Sequence, residues 1–219
     1  MKKTTYTPFF LMVLLLGIVL VPNQLNAQEF DSIEVLKQRA SSWVAENEKF
    51  SQVMVDKIFS FSELGFQEEL SSEYLTSILK KNGFTIEHGV SGIPTAWFAR
   101  WSNGTGPVIA LGSDVDCIPK ASQYPGVAYH KPIVEGAPGH GEGHNAGIPL
   151  NITAALAVQK LMKSEKIGGT LVIWPGIAEE LVAAKAWYTR DGLFDDIDLC
   201  IFTHVSSNMG VSWGQSSGT

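Results

Sequence analysis

Four short polar clusters interrupt an otherwise apolar, regularly patterned chain: Ser113-Asp114-Val115-Asp116, Gly139-His140-Gly141-Glu142-Gly143-His144-Asn145, Glu179-Glu180 and Thr203-His204. Together they offer carboxylates and imidazoles, an oxygen and nitrogen set that suits Zn, Mn or Co better than Ca. Glu142 and His144 stand two residues apart among glycines, so a turning backbone can aim both at one ion. Alone, such a pair is more often solvated surface. Glu179-Glu180 follows an apolar run through Trp174-Pro175-Gly176 and, alone, reads as acids that complement a helix start. Adjacent side chains diverge, however. One carboxylate can hold an ion while the other takes a water proton, the division of labour that metal-assisted hydrolysis requires. His204, at the end of the next apolar run, completes the set.

The elements that would position these clusters follow from hydrophobic periodicity. Residues 32–63 carry apolar positions at mostly helical spacing and predict a long helix, straight or bent; 71–81 predict a second, stopped by Asn82-Gly83. Three short strands are expected at 84–87, 95–101 and 107–112, the last two separated by the turn-forming Asn103-Gly104. Residues 113–143 are broken by Pro119, Pro125, Pro132, Pro138 and several glycines. A loop of that length in a compact domain usually has a task. Helical spacing returns over 145–162, followed by a buried strand at 170–174, a helix at 179–189, a strand at 198–203 and the start of another at 211–213. The alternation predicts an α/β domain, a layered mixed sheet with flanking helices. Three of the polar clusters then fall just beyond strands, where ligands of open α/β sheets bind.

The N-terminus reads as an export signal: Lys2 and Lys3 precede an apolar run from Phe9 to Val21, and Leu25-Asn26-Ala27 offers a cleavage site. That divides the chain into a signal peptide, 1–27, and a mature domain, 28–219, expected in the periplasm or secreted. The apolar run is short for a bilayer, so no stable membrane anchor is expected. A net charge of −6 and no basic run argue against nucleic acid as a partner. Sequons at Asn103 and Asn151 are taken as chance. Cys117 and Cys200 each lie in apolar sequence and are expected as buried free cysteines rather than a disulfide.

Taken in order, the strings Ala110-Leu111-Gly112-Ser113-Asp114-Val115-Asp116-Cys117-Ile118-Pro119, Gly136-Ala137-Pro138-Gly139-His140-Gly141-Glu142-Gly143-His144-Asn145, Trp174-Pro175-Gly176-Ile177-Ala178-Glu179-Glu180-Leu181 and Phe202-Thr203-His204-Val205 resemble metal-dependent amidohydrolases of the aminoacylase and carboxypeptidase G family, in the p-aminobenzoyl-glutamate hydrolase branch. The resemblance covers about residues 61–219. It implies a zinc-peptidase-like catalytic domain with a divalent metal, Zn or Mn, and a small N-acyl amino acid or aminobenzoyl-glutamate-like substrate. Glu180, His144 and His204 resemble metal ligands and Glu179 the general base, with Asp116 on the catalytic side. Glu142 stands where related hydrolases place a Cys, and Asp114 where other branches place a ligand His. Both join the metal set, with direct ligation or support left open. The resemblance further implies that the chain is the N-terminal half only, short of a lid domain that mediates homodimerisation and of a returning segment with another ligand His. A catalytically inactive exported fragment or binding module is the alternative.

Overall fold

Ser32 caps the first helix, its hydroxyl accepting from Val35 N–H. The expected long helix is two, α1 (Ile33–Glu46) and α2 (Glu48–Phe61), broken at Asn47, whose side-chain amide donates to Trp43 O at 2.8 Å and whose backbone leaves helical geometry. The computed structural model describes residues 31–212 and Gly214; the expected signal segment lies outside the described residues. Helix α3 (Glu69–Lys81) ends as predicted at Asn82, with Gly83 at a φ of 86°.

Five strands follow: β1 (Thr85–His88), β2 (Trp97–Ser102), β3 (Val108–Asp114), β4 (Thr170–Gly176) and β5 (Leu199–Phe202). Their order across the sheet is β1-β2-β4-β3-β5. The β1–β2 and β2–β4 pairs are antiparallel, whereas β3 runs parallel to both β4 and β5. The layered mixed sheet expected from the alternation is therefore present. The Asn103-Gly104 turn does not make a hairpin: β4 lies between β2 and β3, with Ala99 opposite Ile173 and Leu111 opposite Ile173 from the other side. Buried Val, Ile and Trp side chains qualify β4 for this central place better than either neighbour's turn chemistry could predict.

Helix α4 (Gly147–Glu165) packs on β3 and β4 and on α1, α2 and α3. The pleat sends Ile173 and Trp174 to opposite faces, and both are buried, so both faces of the sheet are covered. Trp174 joins Phe98, Phe194 and Tyr188 of α5 (Lys185–Arg190) in an aromatic group with centroids 5.0–6.4 Å apart.

Three further expectations are corrected. Residues 179–189 are not one helix: a single 3-10 turn, Glu179–Leu181, is separated from α5 because Ala178 and Val182 on either side of it have left-handed backbone, φ 51° and 54°. Val211 and Ser212 belong to no strand, and Trp213 lies outside the described residues. Cys117 is buried and free as expected, but Cys200 is free and exposed, on the edge strand β5. Among the described residues, no helix is long and apolar enough to cross a membrane.

Candidate metal centre

Strands β3, β4 and β5 run in the same direction, so their carboxyl ends share one rim of the sheet. Asp114 ends β3, Glu179 and Glu180 follow β4, and His204 follows β5. The loop of residues 115–146 leaves from the same rim. It is tied down by bridges of Cys117 to Leu64 and of Ile118 to Gly139, and returns His144 to the rim before α4 begins. The proline- and glycine-rich segment is thus the arm that carries Asp116, Glu142 and His144.

Two imidazoles meet at the centre. His144, buried, and His204, half exposed, approach with Nε2 atoms 3.1 Å apart and rings nearly perpendicular. Each has its other ring nitrogen beside a main-chain carbonyl: His144 Nδ1 lies 3.0 Å from Asp116 O, and His204 Nδ1 lies 2.7 Å from Val205 O. A carbonyl can only accept, so each Nδ1 carries the hydrogen and each neutral ring presents an Nε2 lone pair. Two lone pairs facing each other at this distance require a proton or a cation between them.

Carboxylates surround the pair. Glu142 Oε2 lies 3.9 Å from both Nε2 atoms. Glu180 Oε1 lies 4.0 Å from His144 Nδ1, and its backbone N–H donates to Asp116 Oδ2 at 3.1 Å. Glu142, His144, Glu179 and Glu180 each bring one donor atom within 4.8 Å of the others, and so do Asp114, His144 and His204. Asp116 is buried behind His144, where it orients both the ring and the Glu180 backbone; its Oδ1 makes no hydrogen bond and lies 3.5 Å from His144 Nδ1. This is a positioning contact.

The electrostatics agree with the geometry. Burial works against a charge on His144, but its hydrogen bond to Asp116 and the nearby Asp114 carboxylate outweigh it and raise its pKa. Burial raises the Glu180 pKa, and the Glu142 charge raises it further. Positive charge is wanted here and negative charge is in excess, and the oxygen and nitrogen donors suit a divalent transition ion.

Two residues that sequence reasoning passed over shape the site. Lys185 Nζ donates to both oxygens of Asp114, at 2.8 and 3.1 Å. Glu68, fully buried, accepts from Ala178 N–H and from the Thr95 hydroxyl, both at 2.9 Å, and so fixes the residue from which Glu179-Glu180 projects. Glu68 sits in the polar run Gln67-Glu68-Glu69, which carries no signal to separate it from its neighbours.

No family model matches the chain. It is 34% identical over 167 residues to one of the subunits of the p-aminobenzoyl-glutamate hydrolase of Escherichia coli (strain K12), a match that covers 76% of this chain and 34% of that protein. The chain spans about a third of the length of the curated relatives it matches. Among solved structures, an aminohydrolase from methicillin-resistant Staphylococcus aureus superposes with a TM-score of 0.65 at 19% identity, over 78% of this chain and 42% of that one. A dinuclear metal-binding peptidase of the M20 family from Bacillus subtilis gives 0.55 at 19% identity, over 75% and 45%.

Proposed function

Because the chain belongs to the M20 family of metal-dependent amidohydrolases and peptidases, we propose that it carries the first part of a centre that hydrolyses the amide bond of an N-acyl amino acid or an aminobenzoyl-glutamate-like substrate. The observation that carries the reading is the pair of opposed Nε2 lone pairs of His144 and His204, 3.1 Å apart. His144 and His204, through their opposed Nε2 atoms, and Glu180, which groups with His144 and Glu142, hold a divalent ion, Zn or Mn by their donor chemistry, with Glu142, 3.9 Å from both imidazoles, close enough to join them. The ion, when bound, polarises the amide carbonyl and makes water acidic enough to attack near neutral pH.

Glu179, the neighbour of a ligand but itself turned towards Lys185 with Oε1 3.9 Å from Nζ, takes the proton of the attacking water and returns it to the leaving nitrogen. Asp116 keeps His144 in the tautomer that presents Nε2. Residues 1–27 act as an export signal, so the mature chain of residues 28–219 works in the periplasm or outside the cell.

The adjacent glutamates provide the test. In the complete gene product, Glu179→Gln is expected to keep its metal and lose on the order of 100-fold or more in turnover, the usual cost of removing a general base. Glu180→Gln is expected to lose metal, because an amide oxygen is a poorer ligand than a carboxylate. Elemental analysis and hydrolysis of an N-acyl glutamate read the two effects. Reversed behaviour reverses the assignment, and two silent variants remove the hydrolase reading.

A further inference from the structure

Strand β5 ends at Phe202 on the edge of the sheet, so the residues that follow it owe their course to whatever ties them back. One residue does this. Thr203 N–H donates to Gly112 O on β3 at 2.9 Å, and Thr203 O accepts from the Ser113 hydroxyl at 2.6 Å. Among the described residues it is the last of this segment whose main chain bonds to the sheet, and His204 comes next. Asn151, buried near the start of α4, closes the node: its Nδ2 donates to the same Gly112 O at 2.9 Å, and its Oδ1 lies 3.2 Å from Thr203 Oγ1. Chemistry fixes the directions. Gly112 O can only accept, so Nδ2 must face it; with that oxygen already taking two N–H groups, the Thr203 hydroxyl hydrogen goes to Asn151 Oδ1 rather than to Gly112 O at 3.4 Å. The other imidazole is tied to the same place. Three residues beyond His144, Gly147 starts α4 so close to Ser113 that any Cβ would collide with its hydroxyl.

We infer that Asn151 is a positioning residue for the histidine pair: it locks the Thr203 hydroxyl to the Gly112 carbonyl, and so sets the direction in which His204 leaves β5 and the 3.1 Å separation of the two Nε2 atoms. The inference rests on the metal reading proposed above and adds to it a residue that stands outside the donor set. A buried amide is costly unless it is paired, and a leucine of similar shape would fill the place between α4 and the sheet without that cost. What an apolar side chain cannot do is choose a direction for Thr203. Ligand distances must be right to within about 0.2 Å, and removing a group that orients a ligand commonly weakens metal binding by roughly 10- to 100-fold. Here the orientation acts through the main chain. Thr203 cannot turn without carrying His204 with it, whereas His144 stays held at Asp116 O.

Cobalt is a suitable probe, since its affinity and visible spectrum report ligand geometry without any need for turnover. In the complete gene product, freed of metal and titrated with Co2+, Asn151→Leu and Thr203→Val are each expected to bind the ion roughly 10- to 100-fold more weakly than the unaltered protein, with an altered spectrum. Thr203→Ser, which keeps the hydroxyl, should restore both. Because the two single changes cut one link, the double variant Asn151→Leu/Thr203→Val should bind as Asn151→Leu does. A purely structural role would lower the Tm of the metal-free protein and leave affinity and spectrum unchanged, a result that overturns the inference. So does a Thr203→Ser protein as weak as Thr203→Val, or losses that add in the double variant. If Asn151→Leu fails to fold, the two Thr203 variants decide alone. All of these outcomes leave the metal centre standing. No ion bound by the unaltered protein removes the metal reading itself, and this inference with it.

Discussion

His140 contrasts with the histidine four residues after it. Its Nε2 lies 3.1 Å from Ile58 O and so donates, which leaves Nδ1 as a buried acceptor with no partner. Protonation would place an N–H there with nothing to receive it. Burial accordingly lowers the pKa from 6.5 to about 4. The sign follows directly: between those values the unfolded chain takes up a proton that the folded chain refuses. Stability from this residue is full above about pH 6.5 and declines as pH falls towards 4, by up to about 3 kcal/mol at roughly 1.4 kcal/mol per unit. Urea unfolding at pH 7 and pH 4.5, with chelator present, should show the unaltered chain losing about 2 kcal/mol more than a His140→Gln variant. Parallel losses would remove the assignment. His144, by contrast, has Asp116 behind it and its pKa moves up.

At the scale of the element, the 3-10 turn that carries Glu179 and Glu180 is held between Ala178 and Val182, both in left-handed backbone. For a β-branched residue that conformation is an outlier, and the Val182 side chain, 93% exposed, gains nothing from packing. Val182→Gly should therefore stabilise the fold, by about 1 kcal/mol after allowing for glycine's freer unfolded chain, a rise of roughly 2–4 °C in Tm. A calorimetric scan showing a lower Tm would mean that the strain is relieved in solution. This turn also marks where the sequence stops being informative. The polar clusters and their convergence at strand ends were legible, because the apolar runs of β3, β4 and β5 locate those ends and the polar residues follow each run directly. Their aim was not. The left-handed residues are an alanine and a valine, which carry no turn signal, and the Glu68 contact that holds Ala178 comes from 110 residues away.

For the whole molecule, the class of fold was legible from alternating periods, while strand order was not. Asn103-Gly104 is an apt hairpin turn, yet β2 and β3 both pair with β4, whose run from Leu171 to Gly176 is buried throughout on both faces. The export reading also belongs to this scale: N-terminal sequencing of the protein from a periplasmic or culture fraction should begin at Gln28, and Met1 in a purified cytosolic fraction would refute it. The same placement of β4 has a temporal consequence. Strands β2 and β3 leave the ribosome nearly together, separated only by residues 103–107, but the strand that joins them starts at Thr170. Until it arrives, two apolar edges wait without main-chain partners, and all of α4 must be made in between. Sheet closure is therefore a late, long-range event, and the rim of donors cannot gather before it. The ion-binding corner is a product of completed folding and cannot act as its seed. A nascent chain of this kind is most exposed to strand-to-strand aggregation during the interval in which α4 is being synthesised.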